Sequence, residues 1–256
     1  MPPDDLASPG SVLGRADLHI HSSTGDGLNT VEEILEHAER HTDLDLIAIT
    51  DHDEIDGALE AERMASQRGY RCQVIPGTEI TTRHGHVLAL WVHERFAALR
   101  TLEETVEAVR AAGGLCIVPH PLSWLTLSVG RRRLLQVQTR PESHLHFDGL
   151  EVFNPTFAGR VACQRAVQLN RRVLGLAETG GSDAHSCALI GTGVTRFPGH
   201  SAGDLRAALL ARQTTGGGTY WTTADHLGGA AEQLGRAWFV HPYRKLARAV
   251  GEGRRD

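Results

Sequence analysis

The feature that most constrains the fold of this chain is a series of short apolar runs, each followed at once by histidine or carboxylate side chains. The side chains concerned are His19 and His21 with Asp26, Asp51 and His52, Glu79 with His86, His120, and Asp183 with His185. Each apolar run predicts a β-strand, so these side chains stand at strand ends. The carboxyl ends of parallel strands meet at one edge of a barrel or sheet, and pockets form there. We therefore expect these residues, far apart in sequence, to meet in one pocket.

Strands and helices alternate along the chain. Helix starts are expected at the capping-box residues Thr30, Thr101 and Ser201, and helices at about residues 56–69, Gly159–Arg171 and Leu205–Arg212. Strands are expected at Arg15–Ile20, Leu44–Thr50, Cys72–Ile75, His86–Val92, Leu115–Val118, Leu150–Phe153, Val173–Ala177 and Gly193–Phe197. This alternation predicts an α/β domain built on a parallel sheet or barrel.

The length of 256 residues suits one hydrophobic core rather than several. Residues 1–14 are rich in Pro, Gly, Ser and Asp, and we expect a flexible N-terminal arm there. Residues 15–224 are expected to form the α/β domain, and residues 225–256 a short C-terminal helical appendage. The appendage is expected to fray at its end because its last residues are polar.

Composition excludes several classes of partner. The formal net charge of −5 offers no basic surface for nucleic acid or anionic lipid. No apolar run approaches the ~18 residues of a membrane helix, and the N-terminus lacks the basic and apolar regions of a secretory signal. The four cysteines show no paired spacing, and Cys72 and Cys116 lie in apolar runs, which favours buried free thiols. A cytoplasmic protein is expected.

Three other features have a structural interpretation. Arg131-Arg132-Arg133 is expected to be a solvated helix face rather than a nucleic-acid patch. Gly216-Gly217-Gly218 lacks the lysine and the helix start that follow a phosphate-binding loop, so no such loop is expected. Trp124 either lines the pocket wall or packs in the core.

Residue types and spacing point to metal ions. Side chains alternate across a strand, so His19 and His21 face the same way at the end of the first strand. Asp183 and His185 repeat this geometry late in the chain. Mixed imidazole and carboxylate ligands suit Zn, Mn or Fe better than Ca or Mg. Glu79, a lone carboxylate among histidines, is well placed to bridge two ions.

Two carboxylates beside these ligands have expected supporting roles. Asp17 shares the strand face of His19, one step back, and is expected to accept a histidine N–H. Asp51 precedes His52 and either does the same or caps the turn. A site with two bound ions needs no Ser or Cys nucleophile. The expected nucleophile is therefore a hydroxide bound to two ions about 3.5–4 Å apart.

In these residues the chain resembles the PHP family, named after polymerase and histidinol phosphatase domains. The resemblance spans about residues 15–200 and rests on Asp17-Leu18-His19-Ile20-His21, Asp26-Gly27, Thr50-Asp51-His52-Asp53, Pro76-Gly77-Thr78-Glu79, His120-Pro121 and Gly181-Ser182-Asp183-Ala184-His185. It implies a single-domain distorted (β/α)7 barrel of the PHP type, with two or three divalent metal ions that usually serve phosphate-ester hydrolysis. The metal ligands it implies are His19, His21, Asp26, His52, Glu79, His86, His120, Asp183 and His185.

The resemblance leaves one ligand position and the substrate open. His84 and His86 compete for one position, and His86 is preferred because it begins an apolar run. Family members that act on nucleoside phosphates often carry an extra subdomain between the motifs of His86 and His120, and this chain has only 34 residues from one to the other. The run Thr81–His86 resembles the carbaryl-esterase-like branch, some of which cleave non-phosphate esters.

The expected function is a metal-dependent hydrolase of a small phosphoester. Its expected catalytic residues are Glu79, Asp183 and His185. Its expected substrate contacts are Arg160, Asn154, His84 and Arg83. The two arginines are included because a guanidinium group binds phosphate through two hydrogen bonds. Two alternatives stay open: a carboxyl-ester or carbamate hydrolase with the same centre, and a non-catalytic metal-binding structural module.

Overall fold

The computed structural model describes residues 13–223 and residue 225, and this part of the chain forms nine strands and six α-helices. The strands are β1 (Leu13–Ile20), β2 (Leu46–Ile49), β3 (Gln73–Thr82), β4 (Gly85–Leu90), β5 (Leu115–Val118), β6 (Gly149–Phe153), β7 (Ala177–Gly180), β8 (Gly193–Pro198) and β9 (Thr215–Gly218). The helices are α1 (Val31–His41), α2 (Asp56–Arg68), α3 (Leu102–Ala111), α4 (Arg131–Gln138), α5 (Phe157–Leu169) and α6 (Ala202–Ala211). The expected α/β class is confirmed.

All nine described strands belong to one sheet, in the order β7-β6-β5-β4-β3-β2-β1-β8-β9. The strands β1, β2 and β3 pair in parallel, and so do β5, β6 and β7. The strand β4 pairs antiparallel with β3 and β5, and β8 pairs antiparallel with β1 and β9. Seven of the nine described strands therefore share one direction, all except β4 and β8, and their carboxyl ends lie at one edge.

The sheet curls until its two ends meet, which makes a nearly closed barrel. The buried Thr195 hydroxyl of β8 donates to the Gly180 carbonyl of β7 at 2.9 Å and accepts from the Gly180 N–H at 3.0 Å. A Cβ added at Gly216 of β9 would overlap the carbonyl oxygen of Thr179 in β7. The glycine run therefore stands where strands approach too closely for side chains, and this close approach explains a strand in a segment of low strand propensity.

The predicted strand Val173–Ala177 is wrong. Residues Asn170–Leu174 continue α5 as one π-helical turn, and β7 begins only at Ala177. The Asn170 side chain closes this turn, because it donates to the Leu176 carbonyl at 3.0 Å and accepts from the Leu176 N–H at 2.9 Å. The apolar residues that suggested a strand thus belong to a helix end.

The strand β3 is longer than the predicted Cys72–Ile75 and forms a hairpin with β4. It runs ten residues to Thr82, and a turn at Arg83-His84 leads into Gly85, whose φ is +131°. No helix lies between β3 and β4, so the regular strand–helix alternation of a (β/α)7 barrel is interrupted and β4 runs antiparallel. Glu79 consequently lies inside β3, one residue past the middle of the strand, rather than in a loop after it.

The predicted helix starts are confirmed by their hydrogen bonds. The hydroxyls of Thr30, Thr101 and Ser201 each accept the N–H of the acidic residue three positions later, and each acidic side chain accepts the N–H of the cap residue. The predicted helix Gly159–Arg171 begins two residues earlier, after the N-cap Thr156. Local capping hydrogen bonds thus determine where these helices begin.

Two of the predicted parts fall mostly outside the described residues. Of the predicted arm at residues 1–14, Leu13 and Gly14 are described and belong to β1. Of the predicted appendage at residues 225–256, residue 225 alone is described. Within residues 13–223 and 225, no helix is both long and apolar enough to cross a membrane. The expected free thiols are confirmed, with Cys72 and Cys116 buried.

Candidate metal centre

Asp17 anchors the late part of the chain beside the carboxyl end of β1, where His19 and His21 lie. Its Oδ1 accepts the N–H of Ser182 at 2.9 Å, and its Oδ2 accepts the N–H of Gly191 at 2.8 Å. Asp17 is fully buried, so these charge-assisted bonds are shielded from water. The segment after β7 is therefore held against the end of β1.

This anchoring brings Asp183 and His185 to the two histidines of β1. The N–H of His21 donates to the carbonyl of Ala184 at 2.9 Å. Oδ1 of Asp183 lies 3.3 Å from Nε2 of His21 and 3.5 Å from Nε2 of His19. The imidazole rings of His21 and His185 stack with centroids 4.2 Å apart. Residues more than 160 positions apart in sequence thus share one pocket, as the strand-end pattern predicted.

Glu79 is the centre of the pocket. Its side chain is 1% exposed and is surrounded by five imidazoles of the described chain. The distances from its carboxylate oxygens are 3.1 Å to His19, 3.3 Å to His21, 3.4 Å to His52, 2.8 Å to His86 and 3.2 Å to His120. One carboxylate with both oxygens facing several imidazoles is an arrangement that can bridge two cations.

Asp26 forms the outer side of the same pocket. Its Oδ2 lies 3.3 Å from Nε2 of His185 and 4.0 Å from Nε2 of His52, and its Oδ1 lies 3.5 Å from Nδ1 of His21. The Asp26 side chain is 34% exposed, whereas Glu79 is sealed from solvent. The pocket thus opens to water on the side of Asp26, which is where a substrate can enter.

The donor atoms fall into four groups in which every atom lies within 4.8 Å of the others. These groups are His19 with Glu79 and His120; His19 with His21 and Asp183; His21 with Asp26 and His185; and His21 with His52 and Glu79. Such short mutual distances are those of ligands around a shared ion, so the described geometry suits a multi-metal site.

Unpaired buried atoms test whether a cation fits. Both ring nitrogens of His21, Nδ1 of His52, Nδ1 of His86 and Oδ1 of Asp26 are buried without a hydrogen bond among the described residues. Nδ1 of His86 lies close to Glu79 but lacks the angle of a hydrogen bond. Leaving so many polar atoms unpaired in one place is costly, and divalent cations would satisfy all of them at once. The residues present therefore fit the metal ions that the donor set implies.

The charges in the pocket also favour cations. Burial lowers the pKa of His21, but the carboxylates of Asp183 and Glu79, each 3.3 Å from its Nε2, outweigh burial and raise this pKa to about 10. Burial likewise lowers the pKa of His19, and the charges of Asp183 and Glu79 raise it well above the usual value. Burial raises the pKa of Glu79, whereas the charge of His19 holds it well below its usual range. The carboxylates thus stay ionised and attract positive charge into the pocket.

All nine residues implied as ligands meet in this pocket. Eight of them belong to the four donor groups, and His86 joins them through its contact with Glu79 and its ring contacts with His52 and His120. His84 instead lies at the turn between β3 and β4, where its N–H donates to the Thr82 hydroxyl at 3.1 Å. The preference for His86 over His84 is thus consistent with where the two side chains lie, and the ligand roles themselves stay predictions.

Comparison with known protein families decides the identity of this fold and pocket. A family model described as "PHP domain" matches residues 17–161, more than half of the chain, and a model described as "PHP-associated" matches residues 161–214. The chain belongs to the PHP family. The matched residues include seven of the nine expected ligands, and Asp183 and His185 fall in the second match.

Relatives of this PHP chain include an uncharacterised protein of Methanocaldococcus jannaschii, 34% identical over 151 residues that cover 55% of this chain and 81% of that protein. The phosphoribosyl 1,2-cyclic phosphate 1,2-diphosphodiesterase of Eggerthella lenta is 35% identical over 92 residues, and the match spans only 34% of its length and 34% of this chain. A two-domain PHP-like protein of Bacteroides vulgatus superposes with a TM-score of 0.66 at 21% identity, over 82% of this chain and 66% of that one. This structural likeness shows the PHP fold alone.

Glu151 is a residue of the PHP centre that the sequence analysis missed. It lies in β6 with a side chain 1% exposed, and its Oε1 lies 3.2 Å from Nδ1 of His19. Its Oε2 accepts the backbone N–H of His120 at 2.7 Å and the Asn154 side-chain N–H at 2.9 Å. A carboxylate on the far nitrogen of a ligand histidine fixes the tautomer and the ring orientation. A charged residue within the apolar run Gly149–Phe153 was the signal for this role.

His120 is oriented by hydroxyl groups that the sequence did not reveal. Its Nδ1 lies 2.9 Å from the Ser128 hydroxyl and 3.4 Å from the Thr126 hydroxyl, and these hydroxyls lie 2.8 Å from each other. His120 itself has a φ of +31°, which is unusual for a residue with a side chain. The loop after β5 therefore holds this histidine in a strained conformation that turns Nε2 toward Glu79.

Asp17 and Asp51 do not serve histidine side chains. Asp17 bonds backbone N–H groups, so the expectation that it accepts an imidazole N–H is wrong. Asp51 accepts the N–H and the hydroxyl of Ser22, both at 2.6 Å, and thereby shapes the loop that carries Asp26. Of its two predicted roles, Asp51 therefore has the turn-shaping one. Both carboxylates position the loops of the PHP centre and belong to none of the four donor groups.

Three of the four expected substrate contacts interact with other groups of the chain. Asn154 is buried beside the centre and donates to Glu151 at 2.9 Å and to Asp183 at 3.4 Å. Arg160, in the second turn of α5, is stacked 4.8 Å from the ring centroid of Tyr220. Arg83 lies at the turn after β3, and its Nε donates to the Leu99 carbonyl at 2.8 Å. Asn154 thus positions the carboxylates of the centre, and the Arg83 guanidinium is partly engaged by backbone.

Proposed function

We propose that this PHP protein is a metal-dependent hydrolase that cleaves a small phosphoester. The observation that carries the proposal is the position of Glu79, whose carboxylate lies within 3.4 Å of five imidazoles in a buried pocket. Several of the facing nitrogens have no hydrogen bond among the described residues. This arrangement suits two or three ions of Mn, Zn or Fe.

Different residues of the pocket would hold different ions. Glu79 would bridge the ion held with His19 and His120 to the ion held with His21 and His52. A third position would use Asp26 and His185, and Asp183 would join the inner ions through the oxygen nearest His21. When bound, such ions supply positive charge for the developing phosphoryl charge and lower the pKa of a water toward ~7.

Other residues orient the pocket and the substrate. Glu151 keeps the proton of His19 on Nδ1, so that Nε2 is free to face Glu79. The Arg160 guanidinium makes no ion pair among the described residues, and the Tyr220 ring limits its orientations. Arg160 is the fourth residue of α5, the helix that follows the loop containing Asn154. We therefore assign Arg160 to a non-bridging oxygen of the substrate phosphate.

A named relative supports the phosphoester class. The Eggerthella lenta protein that matches part of this chain carries the name of a phosphodiesterase. Its match covers a third of each chain, so its particular substrate does not transfer to this protein. Only the rest of β4, α3 and β5 lie between His86 and His120, so the described chain has no inserted subdomain there, which makes a nucleoside phosphate a less favoured substrate.

A carboxyl-ester or carbamate substrate is the second candidate, and one observation favours it. The loop after His120 exposes three large apolar side chains, Trp124 at 72%, Leu125 at 40% and Leu127 at 49%. Exposed apolar side chains on the loop that follows a proposed ligand suit an uncharged, apolar leaving group better than a charged one. The same centre would act on either ester, so the two candidates differ only in substrate.

A panel of chromogenic esters separates the two candidates. Protein loaded with Mn²⁺ or Zn²⁺ is assayed with p-nitrophenyl phosphate, bis(p-nitrophenyl) phosphate and p-nitrophenyl acetate. The proposal expects a phosphate ester to be cleaved with the highest kcat/KM, and preference for the acetate would move the assignment to the second candidate. Metal-dependent turnover of none of these esters, with ions bound, would support the non-catalytic alternative.

A variant of Glu79 ties activity to the centre. Because Glu79 contacts donors of two ion positions, Glu79→Ala should lower kcat/KM by at least ~10³-fold, the scale of losing a key electrostatic group. Glu107→Ala, which removes an exposed carboxylate of α3, is the matched control and should keep full activity. Circular dichroism of both variants shows whether the fold persists. Retention of most activity by Glu79→Ala would contradict the proposed role of Glu79.

A further inference from the structure

A second cleft lies on the outer surface, between the start of α4 and the end of α5. Its volume is about 500 Å³, which falls in the range of ~300–1,000 Å³ found for small-molecule pockets. Its wall combines apolar and cationic side chains, and none of the described residues lining it belongs to the metal centre. The cleft is therefore separate from the pocket of Glu79.

Three arginines line this cleft without a carboxylate. They are Arg131 at the start of α4, Arg165 in α5 and Arg172 in the π-helical turn. Within residues 13–223, Arg131 and Arg172 form no ion pair or hydrogen bond, and Arg165 bonds only the Val161 carbonyl of its own helix at 3.2 Å. Like charges that share a cleft repel one another, so an anion bound among them would be favoured.

Nearby groups that bind arginine serve arginines outside the cleft. Arg133, two residues from Arg131 on α4, bonds the Gln136 side chain at 3.1 Å. Arg171, next to Arg172, binds Glu178 with both Nε and Nη2, at 2.8 Å and 3.0 Å. Glu178 is therefore taken by Arg171, and the arginines that line the cleft have no acidic partner in the described chain.

The π-helical turn shapes the cleft. This turn departs from the regular α5 helix at Asn170, and it places Arg171 on Glu178 while Arg172 and Val173 line the cleft. Val173 is 56% exposed although it is apolar, and Leu169 and Leu122 line the same space. Single π-helical turns occur most often at functional sites. The cleft therefore offers an apolar surface directly beside the guanidinium groups.

The start of α4 adds positive potential. Gly130, the N-cap residue, also lines the cleft, has no side chain to cap the helix, and is followed by no acidic residue in the first turn. The first N–H groups of a helix attract anions when no side chain accepts them. This contribution reinforces the arginines, which are the main determinant.

We propose that this cleft binds a small phosphate-bearing molecule with an apolar stem. The guanidinium groups come from three separate elements, α4, α5 and the π-helical turn, and three such donors suit a tetrahedral dianion with several free oxygens better than a planar carboxylate. The stem would lie against Leu122, Leu169 and Val173. This site does not depend on the proposed hydrolase activity.

Calorimetric titration with phenylphosphonate tests the proposal, because its phosphorus–carbon bond is not an ester and has an apolar ring attached. The full chain is titrated as purified and after metal removal with chelator. We expect saturable binding in both states, and weaker binding of methylphosphonate, which lacks the ring. Binding that disappears with the metal would assign phenylphosphonate to the metal centre and overturn the proposal.

Charge-matched double variants locate the site. Arg131→Ala/Arg172→Ala should weaken phenylphosphonate binding by at least ~10-fold, since each lost charge-assisted bond is a substantial fraction of the affinity. Arg132→Ala/Arg133→Ala removes the same charge outside the cleft and should change binding by less than ~2-fold. Arg172→Gln serves as the milder variant if circular dichroism shows that the first pair misfolds. Equal weakening in both pairs, or no saturable binding by the unmodified chain, would overturn the assignment.

Discussion

Nδ1 of His19 lies 3.2 Å from Oε1 of Glu151, while Nε2 of the same ring lies 3.1 Å from Oε2 of Glu79. The ring is therefore held between two buried carboxylates that have different tasks. Glu151 orients the imidazole and also accepts the backbone N–H of His120, so one side chain positions two of the proposed ligands. Glu79 faces the space where the ions are proposed to bind.

Glu151→Gln tests this positioning role. The amide keeps one acceptor oxygen but cannot accept from both His19 and His120, so we expect metal affinity to fall by about 10–100-fold. Competition with a chelating indicator measures this affinity, and kinetics at saturating metal should show a smaller loss. The exposed Glu142→Gln is the matched control. Unchanged metal affinity in Glu151→Gln would show that Glu151 serves packing alone.

Metal binding should release protons. The pKa of His21 in the metal-free pocket is raised to about 10, because the nearby carboxylates of Asp183 and Glu79 outweigh the effect of burial. His21 is therefore protonated at about pH 8, and a ligand imidazole must be neutral. Titration of the metal-free protein with Zn²⁺ in two buffers of different ionisation enthalpy should give different heats, which report released protons. Equal heats in the two buffers would contradict this prediction.

The stability of the metal-free protein should fall as pH rises. The pKa of His21 lies above its ordinary value of 6.5, so its charged form stabilises the fold. This contribution is complete below about pH 6.5 and disappears as the pH approaches 10. Urea midpoints across this window should fall for the metal-free protein and change less for the Mn²⁺-loaded protein. Parallel pH dependence in the two forms would be evidence against the buried cation.

Asp17→Ala should destabilise the fold although Asp17 is not one of the proposed metal ligands. The substitution leaves the N–H groups of Ser182 and Gly191 without their acceptor, and each buried unsatisfied donor costs ~1–3 kcal/mol. Urea unfolding measures this loss of free energy. Asp53→Ala, which removes a partly exposed carboxylate bonded to the Thr81 N–H, is the comparison and should have the smaller effect. Equal losses of unfolding free energy in the two variants would contradict the larger contribution that we assign to Asp17.

The sequence alone predicted where the pocket lies, because ligand side chains follow apolar runs and parallel strands share an edge. His19 and His185 could be placed together on that ground, without any knowledge of register. The sequence did not reveal that β3 and β4 form a hairpin, because the alternation of apolar runs carries no information on strand direction. Glu79 was therefore expected after a strand and lies within one.

Three other outcomes were set by contacts that no apolar pattern encodes. Val173 and Leu174 belong to a helix end because Asn170 closes a turn onto Leu176, a contact between residues six apart. The strand β9 forms at Thr215–Gly218 because only glycine permits the close approach to Thr179. Glu151 went unnoticed because its partner His19 is 132 residues away.

Glu79 and the eight other proposed ligands around it are proposed to hold two or three divalent ions. Anomalous diffraction from crystals of the Mn²⁺-loaded protein tests it most directly. The account predicts at least two peaks about 3.5–4 Å apart, both coordinated by the Glu79 carboxylate, with Asp26 and His185 near a third or an outer position. Crystals with no anomalous peak beside Glu79, although the protein is saturated with Mn²⁺, would contradict the account.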